Sequence, residues 1–548
     1  MLDKRRPASV TGRLSLYLRR RTAVGRKLAV VSAGLKARSV PVHWTNAFGV
    51  VTLASLIVLF VTGVALMFAY QPSSETVSYS GGYAPLHGVE VSRAFDSVMR
   101  LSFDVPGGLI LRQLHHWSAL LVPASIMLQL LVSFFTGAFR RPRRAAWVLL
   151  FLLLIVVLAG GWSGYALPDD MLSGSGLRIV QGIVLGIPLI GSWLSAILFG
   201  GGFPGSIIEN LYLIHVLIVP LGALLLVAAR ARAAHRAKPP QFAGPGRRNN
   251  TVVGIPMIPT AATRSAGLLA LVAGILVLIS TTVQINPIGA YGPSDPGRAS
   301  AGSQPDWYTG FLDGALRLVP SGWEVEWLGR TWTLAVLAPL VVVGIFLLLV
   351  ALYPFIEEWI SQDKADHHIL DRPRNVATRT GIGVAGMTFY GVLWLAASAD
   401  IISLVFRVSF ESVIAALQIT LVVGPVAAFT VTKRVCIALQ RKDRELVLHG
   451  YETGRIVRLP GGGYVEVHAP IGDRERARLT AHAHTLPVPA RMNMFGQRTV
   501  AERVRGMLSS WFFRDRIEMP LQAGESERIA SAEERLRLQA REEPSILR

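Results

Sequence analysis

The polar residues of this chain come in clusters, and between the clusters lie long apolar stretches. A helix rises about 1.5 Å per residue, so roughly 20 apolar residues span a hydrocarbon layer some 30 Å thick. Eight stretches meet that condition, near 46–70, 108–139, 145–167, 205–229, 265–285, 331–356, 380–399 and 412–432. They predict an all-α, polytopic membrane protein with eight transmembrane helices. A further stretch, 179–203, is uncharged, but Gly182, Gly186, Pro188, Gly191 and Gly200 to Gly202 punctuate it. If it crossed, the basic run 230–238 would fall outside, so an outer surface hairpin near 173–203 is expected instead. Beyond about residue 440 the chain turns charged and polar, with a strand-like piece at 461–468 and a charged helix near Glu525–Glu543. Composition alone reads this tail as a solvated, partly disordered extension.

Charge orients the spans. With the N-terminus inside, the inner connections hold 26 Lys/Arg and the outer ones 7. Basic residues favour the cytoplasmic side, so both termini are expected in the cytoplasm of a cell-membrane protein. The composition agrees: 51% hydrophobic, only 16% charged, mean hydropathy +0.44. A net charge of +20 would point a soluble protein toward nucleic acid, but basic inner loops account for it and no nucleic-acid partner is expected. The first forty residues are basic and lack a short apolar core before a small-residue site, so no cleavable signal is expected. The single cysteine, Cys436, rules out an intrachain disulfide, Cys-x-x-Cys-His haem attachment and a cysteine-held iron–sulfur cluster within this chain.

Candidate chemistry sits where apolar stretches carry histidine. Arg112-Gln-Leu-His115-His116-Trp117 lies near the outer end of the second span, and His215 lies in the fourth. Ionisable residues inside a membrane are costly, and each is a functional-site hypothesis. Both spans run from outside to inside, so His115 and His215 lie at compatible depths. Two imidazoles from different helices are a usual way for a bundle to hold b-type haem iron. The alternative is a pair of buried, hydrogen-bonded histidines that pack the bundle. Arg112 could neutralise a haem propionate or snorkel to the interface. Gly49 and Gly63, 14 residues apart on the first span, lie about 21 Å apart along one face and would let a flat macrocycle approach the helix. Pro305-Asp306-Trp307-Tyr308 has two readings: a proton acceptor beside an apolar slot, or a turn followed by an interfacial aromatic anchor.

Several motifs together resemble the cytochrome b subunit of quinol–cytochrome c reductases. They are His-Trp-Thr-Asn at 43–46, Arg112-Gln-Leu-His-His-Trp, Phe135-Thr-Gly-Ala-Phe-Arg-Arg-Pro-Arg143 and Gly164-Tyr-Ala-Leu-Pro-Asp-Asp-Met-Leu-Ser-Gly174. Gln284-Ile-Asn-Pro287, Ala301-Gly-Ser-Gln-Pro-Asp-Trp-Tyr308 and His449-Gly-Tyr-Glu-Thr-Gly454 extend the resemblance to about residue 470. It is strongest to the extended actinobacterial type, which oxidises menaquinol. Charge and hydropathy divide the chain into a basic segment 1–45, four-helix membrane units over 46–250 and 251–440, and a cytoplasmic extension 441–548; the resemblance makes the first unit a haem bundle and places a quinol-site loop at 286–330 in the second. It implies quinol oxidation at the outer face, with Asp306 and Tyr308 as catalytic residues and Pro305 and Trp307 lining the pocket, and a quinone-reduction pocket on the inner face. His115 and His215 would ligate haem iron, with Arg112, Gly49, Gly63 and Gly164 around the haem. A Rieske iron–sulfur subunit and a cytochrome c would be partners within a homodimeric complex, with a terminal oxidase as a further partner.

The sequence departs from the family at one depth. Two haems imply a second histidine on each ligand helix, but those positions hold Gln129 and either Ala229 or Arg230. Neither an amide nor a guanidinium is a usual haem ligand. At the same level Val132 stands where the family has arginine, and Leu150 where it has glycine. The outer level is kept apart from Asn210, which replaces a propionate-binding arginine. One outer haem b is therefore expected, with the inner pocket closed by ordinary side chains. Two functions follow: a menaquinol–cytochrome c reductase subunit passing electrons through b-type haem, or a degenerate one-haem or haem-free paralogue without full turnover.

Overall fold

A computed structural model describes residues 33–519 apart from 296, 298–303, 321, 481–486 and 493–496. Its apolar runs are helices for a simple reason. In hydrocarbon there is no water to satisfy amides and carbonyls, and a helix pairs them within one segment. The first four long helices are α1 (Ala47–Met67), α3 (Gly108–Phe135), α4 (Arg144–Ala166) and α7 (Ile207–Arg236). Between them lie the amphipathic helix α2 (Arg93–Phe103) and two short helices, α5 (Met171–Leu185) and α6 (Gly191–Phe199). The second set comprises α8 (Ala262–Thr282), the short α9 (Gly310–Arg317), α10 (Leu334–Ser361), α11 (Ala377–Ala396), α12 (Ala399–Phe406) and α13 (Phe410–His449).

Seven helices are long and apolar enough to cross a membrane. An eighth span exists if α11 and α12 count as one, although the pair is bent by 69°. The chain is thus an all-α polytopic membrane protein. Strands are confined, among the described residues, to two-stranded pieces.

In the first set α3 packs on α1 and α4, and α4 packs on α7. Helices α3 and α7 therefore face each other across a four-helix bundle. Its core includes Leu56, Val122, Ile126, Leu130, Leu153, Leu154 and Ala223. Helix α8 covers the outside of α1 and α3, α10 leans on α4, and α11 packs along α13. The loop with Gln304–Tyr308 is carried against the bundle by α9, whose Phe311 and Ala315 are buried among α10 and α11 residues.

The tail differs from the expectation drawn from composition. Helix α13 runs 40 residues, well past the apolar stretch, and leads into an antiparallel hairpin. Its strands are β1 (Tyr451–Arg458) and β2 (Tyr464–Ala469). A further helix, α14 (Val500–Phe512), returns to pack on α10. The hairpin strands are largely exposed, as charged composition predicts, but Val447, Ile471, Leu479 and Met519 form a small buried cluster, and Phe512 of α14 is buried. The helix expected near Glu525–Glu543 lies outside the described residues.

Candidate functional site

Helix α3 carries His115 and helix α7 carries His215 into the outer half of the bundle, with ring centroids 6.1 Å apart and planes at 65°. Two imidazoles on opposite sides of one metal ion have centroids roughly 6 Å apart, from two bonds of about 2 Å plus the ring radii. His215 sits in a five-residue π-helical turn, Ile214–Ile218. Pro220 follows at once and has no amide proton to continue the regular ladder, and π turns of this kind re-aim side chains.

Hydrogen bonds decide which ring nitrogens are free. His215 Nδ1 lies 3.0 Å from the carbonyl of Gly160, which can only accept, so Nδ1 carries the proton. Ser163 supports the same edge at 3.2 Å. His115 Nδ1 meets Thr62 Oγ1 at 2.8 Å, while the Thr62 hydroxyl donates to the Val58 carbonyl. On both rings Nε2 keeps its lone pair for a metal, the usual division of labour in a ligating histidine. Glycines make room for the rings. A Cβ at Gly164 would lie 2.5 Å from His215 Cε1, and one at Gly63 would lie 3.3 Å from His115 Cε1.

These residues fit haem. Among the described residues no group of three or more His, Cys, Asp or Glu gathers as a metal site. Two imidazoles alone would leave a bare ion underligated, whereas a macrocycle brings its own equatorial nitrogens. Arg112, one turn from His115, donates from Nη2 to the Asn286 carbonyl at 3.3 Å, and its buried Nε has no hydrogen-bond partner among the described residues. A guanidinium left partly unsatisfied there suits an anionic substituent. Asn210 serves a different end: its amide donates to the carbonyls of Leu198 at 2.8 Å and Ile197 at 3.3 Å, tying down the end of α6.

A second cluster shares α3. His116 Nε2 lies 3.2 Å from Asp306 Oδ2, and the Tyr308 hydroxyl donates to the same oxygen at 2.8 Å. Tyr308 is 1% exposed, its ring lying where a Cβ on Gly161 would fall. Burial, with the Asp306 carboxylate beside it, holds the Tyr308 phenol well above its ordinary range, so it remains a donor. Trp307 is fixed through its carbonyl, which accepts from Trp394 Nε1 at 2.9 Å. Spacing on α3 shows only that His116 points away from His115; the acid it meets stands 190 residues along the chain.

The inner level is different. Arg230 donates to Gln129 Oε1 at 3.0 Å, and Gln129 donates to Thr52 Oγ1 at 2.7 Å. A direct bond leaves no room for iron between the two, and an arginine offers no lone pair. These residues do not fit a second haem. Gly49 abuts Gln129 here, at 3.6 Å from a would-be Cβ, rather than a ring of the outer site. The expectation that the inner pocket is filled needs correction, however. Val132 and Leu150 line a remaining cavity of about 520 Å³, because exchanging ligands and a glycine leaves the helix spacing of the bundle intact.

Comparison with known proteins agrees with this architecture. A family model for cytochrome b (N-terminal)/b6/petB matches residues 120–293. The cytochrome bc1 complex cytochrome b subunit of Streptomyces coelicolor is 42% identical over 486 residues, 88% of this chain and 89% of that protein. The subunit of the same description from Mycobacterium leprae is 44% identical, with 83% of each chain covered. A solved chain described as hyperthermophilic respiratory Complex III shares the fold at a TM-score of 0.55 and 19% identity, covering 76% of this chain and 98% of its own.

Proposed function

The chain belongs to the cytochrome b subunits of cytochrome bc1 complexes, the membrane part of a quinol–cytochrome c oxidoreductase, and from that premise we propose that it oxidises menaquinol at its outer face. The observation that carries the proposal is the His116–Asp306–Tyr308 cluster, built on the same helix as the His115/His215 pair. Oxidising a quinol frees two protons, so acceptors must stand beside an apolar slot. Asp306 takes a proton from the quinol hydroxyl. Tyr308, held as a donor, orients that carboxylate, and His116 receives the proton from it on the side away from the substrate. Pro305 and Trp307 shape the slot.

His115 and His215 would hold haem b, which would supply a one-electron carrier in the outer half of the membrane; Arg112 would offset the charge of its anionic substituents, and Gly63 and Gly164 leave room for the two imidazole rings. The facing positions of the inner level hold Gln129 and Arg230 rather than a pair of histidines, so the proposal is one b haem per chain. Membership of the bc1 complex brings a Rieske iron–sulfur protein and a cytochrome c as partners. We further propose a homodimeric complex with both termini in the cytoplasm, the latter supported by the excess of Lys/Arg in the inner connections. A paralogue without turnover is the less favoured reading, since identity to bc1 subunits runs through most of the chain.

The test is steady-state oxidation of a menaquinol analogue by the purified complex. Asp306→Asn should lower kcat roughly 100-fold or more, as loss of a general base does, with KM little changed. Unaltered turnover in Asp306→Asn would contradict the assignment.

A further inference from the structure

Asp306 presents its carboxylate from a loop, not from a helix, so other groups must hold that loop still. Two side chains of one bent helix pair do so. On one side the Trp307 carbonyl accepts from Trp394 Nε1, near the end of α11, at 2.9 Å. On the other, Gln304 Nε2 donates to Asp400, in the first turn of α12, at 2.9 Å to Oδ2 and 3.1 Å to Oδ1. Six residues separate Trp394 from Asp400, and on a straight helix such positions point about 120° apart. The 69° bend between α11 and α12 lets both reach the same loop.

Asp400 is itself fixed. Arg317 of α9 donates from Nη1 to Asp400 Oδ1 at 2.9 Å, and its Nε pairs with Asp313, one turn back on α9, at 2.9 Å. One carboxylate thus joins α12, α9 and the loop. Gln304 stands two residues before Asp306, with Pro305 between them. Proline fixes its own φ and restricts the residue before it, so this short link passes the position of Gln304 on to Asp306. The Tyr165 hydroxyl, 3.5 Å from the Gln304 carbonyl, is a weaker hold. We propose that Asp400 is a positioning residue for quinol oxidation: by holding Gln304 through a charge-assisted bond, it sets where Asp306 stands relative to His116 and Tyr308. An ion pair that only joined α9 to α12 would need Arg317 alone, and the Gln304 amide would be a bystander. The inference rests on the reading that Asp306 accepts the quinol proton.

The experiment measures kcat and KM for a menaquinol analogue on the purified complex, with the b-haem spectrum reporting that each variant is assembled. Gln304→Glu sets a second carboxylate against Asp400 and should lower kcat roughly 10- to 100-fold, the scale of a small misplacement of a reacting group. KM should change little, because Trp394 still holds Trp307. Combining Gln304→Glu with Asp400→Asn exchanges amide and carboxylate and restores the bond in the opposite direction. This double variant should return kcat to within about threefold of wild type. Should Gln304→Glu fail to assemble, Gln304→Ala carries the test. It removes the tether, keeps the Arg317–Asp400 pair, and should lower kcat about tenfold. Wild-type kcat in Gln304→Glu or Gln304→Ala, or a double variant as slow as Gln304→Glu, overturns the inference. Slow turnover of Asp306→Asn in the same assay then leaves the proton-acceptor reading standing. Wild-type turnover in Asp306→Asn overturns both.

Discussion

At the residue scale, two adjacent side chains on one helix meet different partners. Successive residues on a helix point about 100° apart, so His115 turns toward His215 while His116 turns toward Asp306. Replacing His215 with Ala should abolish the b-type absorption spectrum, and a retained spectrum would reject the pairing. Replacing His116 with Asn should slow quinol oxidation roughly 10- to 100-fold and move the pH profile of kcat, with the b spectrum kept. A variant with the wild-type pH profile would show that His116 is merely packing. The first pair was legible in the sequence, because histidine inside an apolar run is costly enough to need a reason. The contact of His116 with Asp306 was not. Nothing local to α3 shows that a loop 190 residues away delivers a carboxylate to it.

At the element scale, the outer site depends on helix shape. Gly164 lies on α4 directly against the His215 ring, so Gly164→Ala places a methyl 2.5 Å from Cε1 and must push the ring aside. Overpacking of that kind costs about 1–3 kcal/mol, and the variant should lose or shift its b-haem spectrum. Gly63→Ala, with 3.3 Å available, should do so less. The reverse order of effects would count against the assigned geometry. The spans themselves were readable from hydropathy, but the π turn at Ile214–Ile218 and the 69° bend after α11 were not. Both follow from local backbone hydrogen bonding, to which an average over apolar residues is blind. The same blindness explains the tail. Its charge hides the few residues that are buried there, such as Ile471, Leu479 and, in α14, Phe512.

At the scale of the whole molecule, the two halves are joined on the inner side by buried charge. Arg379, 2% exposed, pairs with Glu357 and, at 2.7 Å, with Asp371, which also holds Arg140 from the end of α3 at 2.9 Å. Removing one member of a buried network leaves the rest uncompensated, so Arg379→Met should destabilise the complex by roughly 3–5 kcal/mol, read as a lower Tm. Burial alone would raise the pKa of Asp371, but Arg140 and Arg379 outweigh it and hold the carboxyl below its ordinary value. Its contribution to stability is therefore complete above the unfolded pKa and is lost as pH falls through the lower folded one. Thermal unfolding at graded acid pH should show that loss, and Asp371→Asn should remove this component. The central claim, however, concerns the bundle: two facing histidines at its outer level, and Gln129 facing Arg230 at its inner level. The most direct test is the amount of b haem per cytochrome b chain in the purified complex, measured by the pyridine haemochrome spectrum. One b haem per chain is the result this structure predicts, and two would contradict it.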